Sequence, residues 1–451
     1  MKITFLGAGS TIFVKNVVGD CMLSDKLDGF EVALLDIDAQ RLDESYNLIC
    51  ALRDKYKPSV KVTKYLTNNA EEAFQGANYI INAIQVGGYD PCTITDFEIP
   101  KKYGLTQTIG DTLGIGGIFR GLRTIKVLEE YARIIEKVAP NAYFLNYTNP
   151  MSILTGWLLT QTKIKAIGLC HSCQVIMDVL LMRTGLENKY KSEDISYHLA
   201  GINHMCWLLD AKDKKTGRDI YPEIKEGFHK DEILEGLRED GRLHNVVMED
   251  FVRREIMDRF GYYNTESSEH SAEYHPYFIK KDHPELIDRF LIPLDEYPRR
   301  CVRQIERWEK QRDDILNPDN VKHERSIEYG SRIIEAIETG IPYKIYGNVL
   351  NNGIITNLPK NACVEVPIMV DDNGFNPCVV GDIPDQLAGL NMTHIAVHNM
   401  TIRAAVEKKK EYIYMAAYLD PHTRDQLTMD EIKSLCDDLI RAHGDWLPKY
   451  E

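Results

Sequence analysis

A cysteine and a histidine carry the most chemistry in this chain. Cys170 lies in Gly168-Leu169-Cys170-His171-Ser172-Cys173, and His204 closes Ala200-Gly201-Ile202-Asn203-His204. A thiolate and an imidazole are strong ligands for a borderline divalent metal. Cys170-x-x-Cys173 also matches half of a zinc or redox motif. However, the chain has no second CxxC to complete a structural zinc site, and nothing around this one is thioredoxin-like.

Upstream, Gly7-Ala8-Gly9-Ser10-Thr11-Ile12 follows an apolar stretch and opens a helical one, as a phosphate-binding turn must. Gly7 permits a tight turn, and Gly9 lets the backbone approach a pyrophosphate at the helix N-terminus. Ile12 stands where the usual pattern has a third glycine, and Ser10 can offer its hydroxyl to phosphate instead. Asp36 closes the second apolar stretch. A carboxylate there accepts hydrogen bonds from ribose hydroxyls and repels a 2′-phosphate, so NAD is favoured over NADP. The plainer alternative is a glycine turn with a helix-capping aspartate.

These residues need a frame that brings them together. Strand candidates are 2–6, 31–35, 61–65, 79–84, 142–145 and 166–169, separated by amphipathic stretches such as 41–55 and 123–138. Six strands alternating with helices predict an α/β fold whose first part is a Rossmann-like, doubly wound parallel sheet. Cys170 then ends a strand at the carboxyl edge of the sheet, where such folds bind ligands. From about Ser196 the texture changes. Short strands at 197–201 and 205–210 flank His204, helical segments cover 235–260 and 294–312, and 346–370 suggests a small sheet. The end of the chain, 390–418 and 429–443, is helical. The expected division is a nucleotide-binding domain over residues 1–195 and an α+β substrate, metal and oligomerisation lobe over 196–451.

The 451 residues exceed what one small core serves. The formal charge of −14 disfavours nucleic-acid or anionic-membrane partners. No apolar run approaches the roughly 20 residues of a membrane helix, and the N-terminus does not read as a signal peptide. Ten scattered cysteines read as reduced thiols in the cytoplasm.

The strings at 7–10, Asn146-Tyr147-Thr148-Asn149-Pro150, Cys170-His171-Ser172 and Ala200-Gly201-x-Asn203-His204 occur in the order of one family. The chain resembles the NAD- and manganese-dependent family-4 glycoside hydrolases, and Cys-His-Ser resembles their α-galactosidase branch. Further strings agree, among them Gly110-Asp111-Thr112-Leu113-Gly114, Thr265-Glu266-Ser267-Ser268-Glu269-His270 and Ala442-His443-Gly444-Asp445-Trp446. Cys173 departs from the valine usual in that branch.

The resemblance implies a lactate/malate dehydrogenase-like α/β fold and hydrolysis of an α-galactoside by transient oxidation at C3, proton removal at C2, elimination and water addition. It implies manganese on Cys170 and His204, and NAD on Gly7, Gly9, Ser10, Asp36 and Asn146. Asn149 and Asn203 would hold sugar hydroxyls, and His171 would protonate the leaving oxygen. Asp111 would support the base. Relatives use a Tyr or Asp near the region aligned with 265–270. Here Glu266, Glu269 and His270 are the available bases, with Tyr262 and Tyr263 just upstream. A homodimer or homotetramer is the implied assembly.

An α-glucosidase or α-galacturonidase of the same family is the nearest alternative reading, although no arginine stands out as a partner for a uronate. A 2-hydroxyacid dehydrogenase shares the nucleotide turn but needs a mid-chain His-Gly-Asp. The only such string, at 443–445, lies at the end of the chain. A non-catalytic NAD-sensing module would leave Asn149, Cys170 and His204 without a role.

Overall fold

The computed structural model describes residues 1–239 and 250–451. Its first part alternates strand and helix: β1 (Lys2–Leu6), α1 (Thr11–Leu23), β2 (Glu31–Asp36), α2 (Ala39–Tyr56), β3 (Lys61–Leu66) and β4 (Tyr79–Asn82). After a connection that includes a helix at Ile94–Lys101 come α3 (Gly114–Val138), β5 (Tyr143–Asn146), α4 (Met151–Gln161), β6 (Lys165–Gly168) and α5 (Ser172–Arg183). The pairings β3-β2-β1-β4-β5-β6 are all parallel. This is the doubly wound sheet expected from the alternation of elements.

Successive strand residues point to opposite faces, and both faces are buried. Ile3, Phe5, Val32, Leu34, Ile81 and Ile167 join one core, against α1 residues such as Val14 and Val18. Leu6, Leu35, Ile80 and Phe144 join the other, against Ile118, Leu122 and Ile125 of α3. Near-continuous apolar strands are what a parallel sheet covered by helices requires.

The second part adds β7 (Ile195–Ile202), β8 (Met205–Asp213), α6 (Ser268–Tyr274), α7 (Glu296–Ile315) and α8 (Gly330–Thr339). Then follow β9 (Tyr343–Leu350), β10 (Cys363–Asp371), β11 (Gly374–Pro377) and α9 (Asp385–Glu407). The region expected to form a small separate sheet does not. β9 instead pairs antiparallel with β6 through Gly168 and Asn348, and β10 and β7 carry the sheet onward to β8. Buried side chains on β9 and β10, including Ile345, Val364, Val366 and Ile368, favour lengthening the existing core over building another. One eleven-stranded sheet therefore crosses the expected boundary at 195/196.

The helical stretch expected over 235–260 appears as helices at Asp231–Glu239 and Phe251–Phe260, and residues 240–249 lie outside the described residues. The C-terminal stretch 390–418 is broken at Lys408, which takes a left-handed conformation (φ 55°) between α9 and the next helix. No helix among the described residues is long and apolar enough to cross a membrane.

Candidate active site

The carboxyl ends of β1, β2, β5 and β6 and the turn between β7 and β8 supply the candidate residues. At the end of β1, Gly7 has φ 91°, and its amide donates to Leu35 O at 2.9 Å. A Cβ there would lie 2.8 Å from the backbone of Ala83, so only glycine fits. The amide of Gly9 donates to Asp36 Oδ2 at 2.6 Å, and Asp36 Oδ1 accepts from the amide of Asp38 at 2.9 Å. Asp38, not Asp36, caps α2. Asp36 thus stands beside the turn, its carboxylate directed at the backbone of the glycine loop. Ser10 occupies the N-cap of α1, and its hydroxyl makes no capping bond.

Asn146 lies elsewhere than expected for a cofactor ligand. Its Oδ1 accepts from Asn82 Nδ2 at 2.9 Å, and its Nδ2 donates to Thr155 Oγ1 at 3.1 Å and Thr148 O at 3.2 Å. It is fully buried. A polar residue at a strand end reads as a site residue in sequence, yet here it ties the 146–149 loop from beneath.

The loop it holds presents Asn149, whose side-chain oxygen is buried without a hydrogen-bond partner among the described residues. The side-chain oxygen of Asn203 is in the same condition. Unpaired buried acceptors cost free energy unless a ligand satisfies them, so both fit a polyhydroxylated substrate.

Cys170, His204 and Glu266 converge, their donor atoms all within 4.8 Å of one another. His204 and Glu266 both hold left-handed backbone, with φ 62° and 73°. Such conformations cost of order 1–3 kcal/mol each in non-glycine residues and gather where function demands them. Burial pushes the Cys170 thiol far up, and the nearby Glu365 and Glu266 carboxylates add to the shift. A divalent cation is the charge that would favour its thiolate. Burial also opposes ionisation of Glu266, but His204 and His270 when protonated, with the Arg253 and Arg300 guanidiniums, outweigh it and shift the carboxyl below its usual range. A thiolate, an imidazole and an ionised carboxylate on converging backbones suit a metal of the Mn²⁺ or Zn²⁺ kind.

His270 packs edge-on against His204, ring centres 4.7 Å apart, with its Nδ1 2.7 Å from Ser267 Oγ and 3.4 Å from Glu266 Oε1. Burial lowers its pKa to about 4, so it is a neutral imidazole. Glu269 turns away from this group. Arg300 Nη2 donates to it at 3.0 Å, and burial raises its pKa. One helical position separates Glu269 from His270, and that step of about 100° sends it to a different neighbour.

His171 Nε2 donates to Glu328 Oε2 at 2.7 Å. Burial lowers the imidazole's pKa, but Glu328 overrides it and the net shift is upward. Asp111 sits on the loop before α3, accepting from the Thr112 hydroxyl at 2.7 Å, with Arg120 Nη1 at 3.8 Å. That loop lies on the first turn of α3. A Cβ on Gly116 would come within 2.2 Å of Gly110 O. Glu273 of α6 holds the loop from the other side, accepting the amides of Thr108, Ile109 and Gly110 at 2.5, 3.2 and 3.1 Å.

Two sequence profiles match this chain: that of the family 4 glycosyl hydrolase over residues 2–186 and that of its C-terminal domain over 199–423. The chain belongs to family 4 of the glycosyl hydrolases. It is 58% identical over 450 residues to an α-galactosidase of Bacillus subtilis, covering all of both chains. It is 32% identical over 466 residues to an α-galactosidase of Rhizobium meliloti, covering all of this chain and 89% of that one. Its fold matches a 6-phospho-α-glucosidase from gut microorganisms solved with NAD and Mn²⁺ (TM-score 0.77, 21% identity, 100% and 99% of the two chains).

In this family 4 enzyme several site neighbours are not among the candidate site residues. Arg120, buried in α3, donates to Asn149 O at 3.2 Å and Tyr297 Oη at 2.9 Å, and so links Asp111, the Asn149 loop and α7. Glu328, Arg300 and Tyr297 come from segments remote in sequence. Cys173 belongs to a second buried group, with Cys206 and Glu365, whose donor atoms also lie within 4.8 Å of one another.

Proposed function

We propose that this enzyme hydrolyses α-galactosides with the help of NAD and a divalent metal, manganese being the expected ion. The observation that supports this best is the meeting of Cys170, His204 and Glu266 in a chain that also carries a nucleotide turn and is 58% identical along its length to an α-galactosidase. When bound, NAD supplies a hydride acceptor and the metal a Lewis acid.

Cys170 and His204 would hold the metal. Gly7, Gly9 and Ser10 would cradle the pyrophosphate, and Asp36 would take the ribose hydroxyls in place of its present bond to Gly9. Residues 1–195 then serve as the nucleotide part and 196–451 as the substrate part. Asn149 and Asn203 orient the sugar through its hydroxyls. Glu266, kept ionised, accepts the sugar's C2 proton, with neutral His270 beside it to share that proton. Asp111 supports this pair, since its charge favours protonated His270. His171, which Glu328 favours in its cationic form, donates to the departing glycosidic oxygen. The ten unpaired cysteines, one of them a metal ligand, suit a reducing cytoplasm.

The test is hydrolysis of p-nitrophenyl α-galactoside beside its gluco and galacturonide analogues, with NAD⁺ and Mn²⁺ supplied or withheld. The expected result is turnover of the galactoside only when both are present. Preference for another sugar would overturn the substrate assignment, and turnover without NAD⁺ would overturn the reaction.

A further inference from the structure

Helix α7 runs for 20 residues, yet only Glu296 and Cys301 on it are buried. Its ends are anchored. Tyr297 and Arg300 meet Arg120 and Glu269 near the active site, and Arg312 Nη2 pairs with Glu44 of α2 at 2.7 Å. Between these anchors residues 302–307 are all exposed, including Val302 at 39% and Ile305 at 46%. Six consecutive residues span more than one full turn, so among the described residues nothing covers any face of that turn. Helices take most of their stability from packing an apolar stripe, and among the described residues this stretch has nothing to pack on.

The side of α7 away from buried Cys301 carries Arg303, Glu306, Lys310 and Asp313, spaced three, four and three residues apart, so they form one row. Their signs alternate: plus, minus, plus, minus. Read backwards, the row is minus, plus, minus, plus. Two copies laid antiparallel about a twofold axis level with Trp308 therefore set Arg303 against Asp313 and Glu306 against Lys310, twice each. Within the chain Arg303 reaches back to Glu296 at 2.6 Å. Among the described residues, no ion pair engages Glu306, Arg307, Glu309, Lys310 or Asp313.

We propose that α7 is a self-complementary interface on which a second copy of this chain docks by antiparallel helix pairing, with Val302 and Ile305 buried at its edge. A twofold contact of this kind needs the same patch on both subunits, complementary to itself, and the row meets that condition. Pairing would also brace the helix that brings Arg300 and Tyr297 to the active site.

Sedimentation equilibrium of the full-length protein, at low and raised salt, tests this. The wild type should associate, and raised salt should weaken the association. Glu306→Lys places lysine against lysine and should weaken association at least tenfold or remove one oligomeric step. Lys310→Glu should do the same by opposing two glutamates. The double variant E306K/K310E restores opposite charges across the axis and should return to wild-type association. A wild type that stays monomeric overturns the proposal. So do single variants that associate normally, or a double variant no better than the singles. Circular dichroism of each variant should match the wild type, because the substituted side chains are exposed.

Discussion

His204 Nε2 and Glu266 Oε2 face each other at 3.9 Å, each projecting from a residue in left-handed backbone. His204 sits in the tight turn between β7 and β8, and Glu266 just before α6. Two strained residues, 62 positions apart, thus place an imidazole and a carboxylate within reach of the Cys170 sulfur. Their separation exceeds that of a hydrogen bond, which leaves both groups free to meet something between them.

Cys170→Ser should abolish activity. A serine hydroxyl stays protonated at neutral pH and is a poor ligand for a divalent metal. Loss of metal affinity should exceed the roughly 10–100-fold that changes outside the ligand shell produce, while NAD⁺ affinity stays near wild type. Manganese titration and NAD⁺ titration of the same variant check this. Stoichiometric metal with full turnover would show that Cys170 is not a ligand.

Glu266→Gln separates a proton acceptor from a third ligand. With the acceptor gone, kcat should fall by about 10²- to 10⁴-fold, while manganese affinity changes little. If manganese affinity collapses along with the rate, Glu266 ligates the metal and His270 becomes the acceptor.

Much of this site was legible because its signals are local. The glycine turn, Asp36, Asn149, Cys170 and Asn203-His204 each sit at a strand end whose apolar pattern is plain in the sequence. Asn146 shares that position, but its side chain faces the interior, and no one-dimensional pattern gives the direction a strand-end side chain takes. Glu269 and His270 are neighbouring candidate bases on a helix start, and only the position of Arg300 separates their roles. Glu328 meets His171 across 157 residues, a pairing that tertiary packing alone decides. The joining of β9 to β6 was hidden for the same reason, since strand pairing depends on which apolar faces meet.

Glu328 should set the alkaline limit of activity. His171 must be protonated to donate, and its pKa is raised mainly because Glu328 outweighs burial. Activity is therefore kept below that raised pKa and lost as pH rises through it. In Glu328→Gln the charge is gone, so the alkaline limb of kcat/KM should move to lower pH while the acid limb stays. An unmoved alkaline limb would remove His171 from the acid role.

Asp36→Ala should weaken NAD⁺ by roughly 1–3 kcal/mol, the worth of charge-assisted hydrogen bonds to ribose. Calorimetric titration reads this directly, and kcat at saturating NAD⁺ should hold. Unchanged affinity would leave Asp36 as no more than a partner for the Gly9 amide.

Cleavage that moves the proton at C2 of the sugar leaves a mark in the product when p-nitrophenyl α-galactoside is hydrolysed in D₂O. With NAD⁺ and Mn²⁺ present, NMR of the released galactose should show deuterium at C2, and NADH should not accumulate. Galactose without C2 deuterium, together with no primary isotope effect from C2-deuterated substrate, would contradict the account.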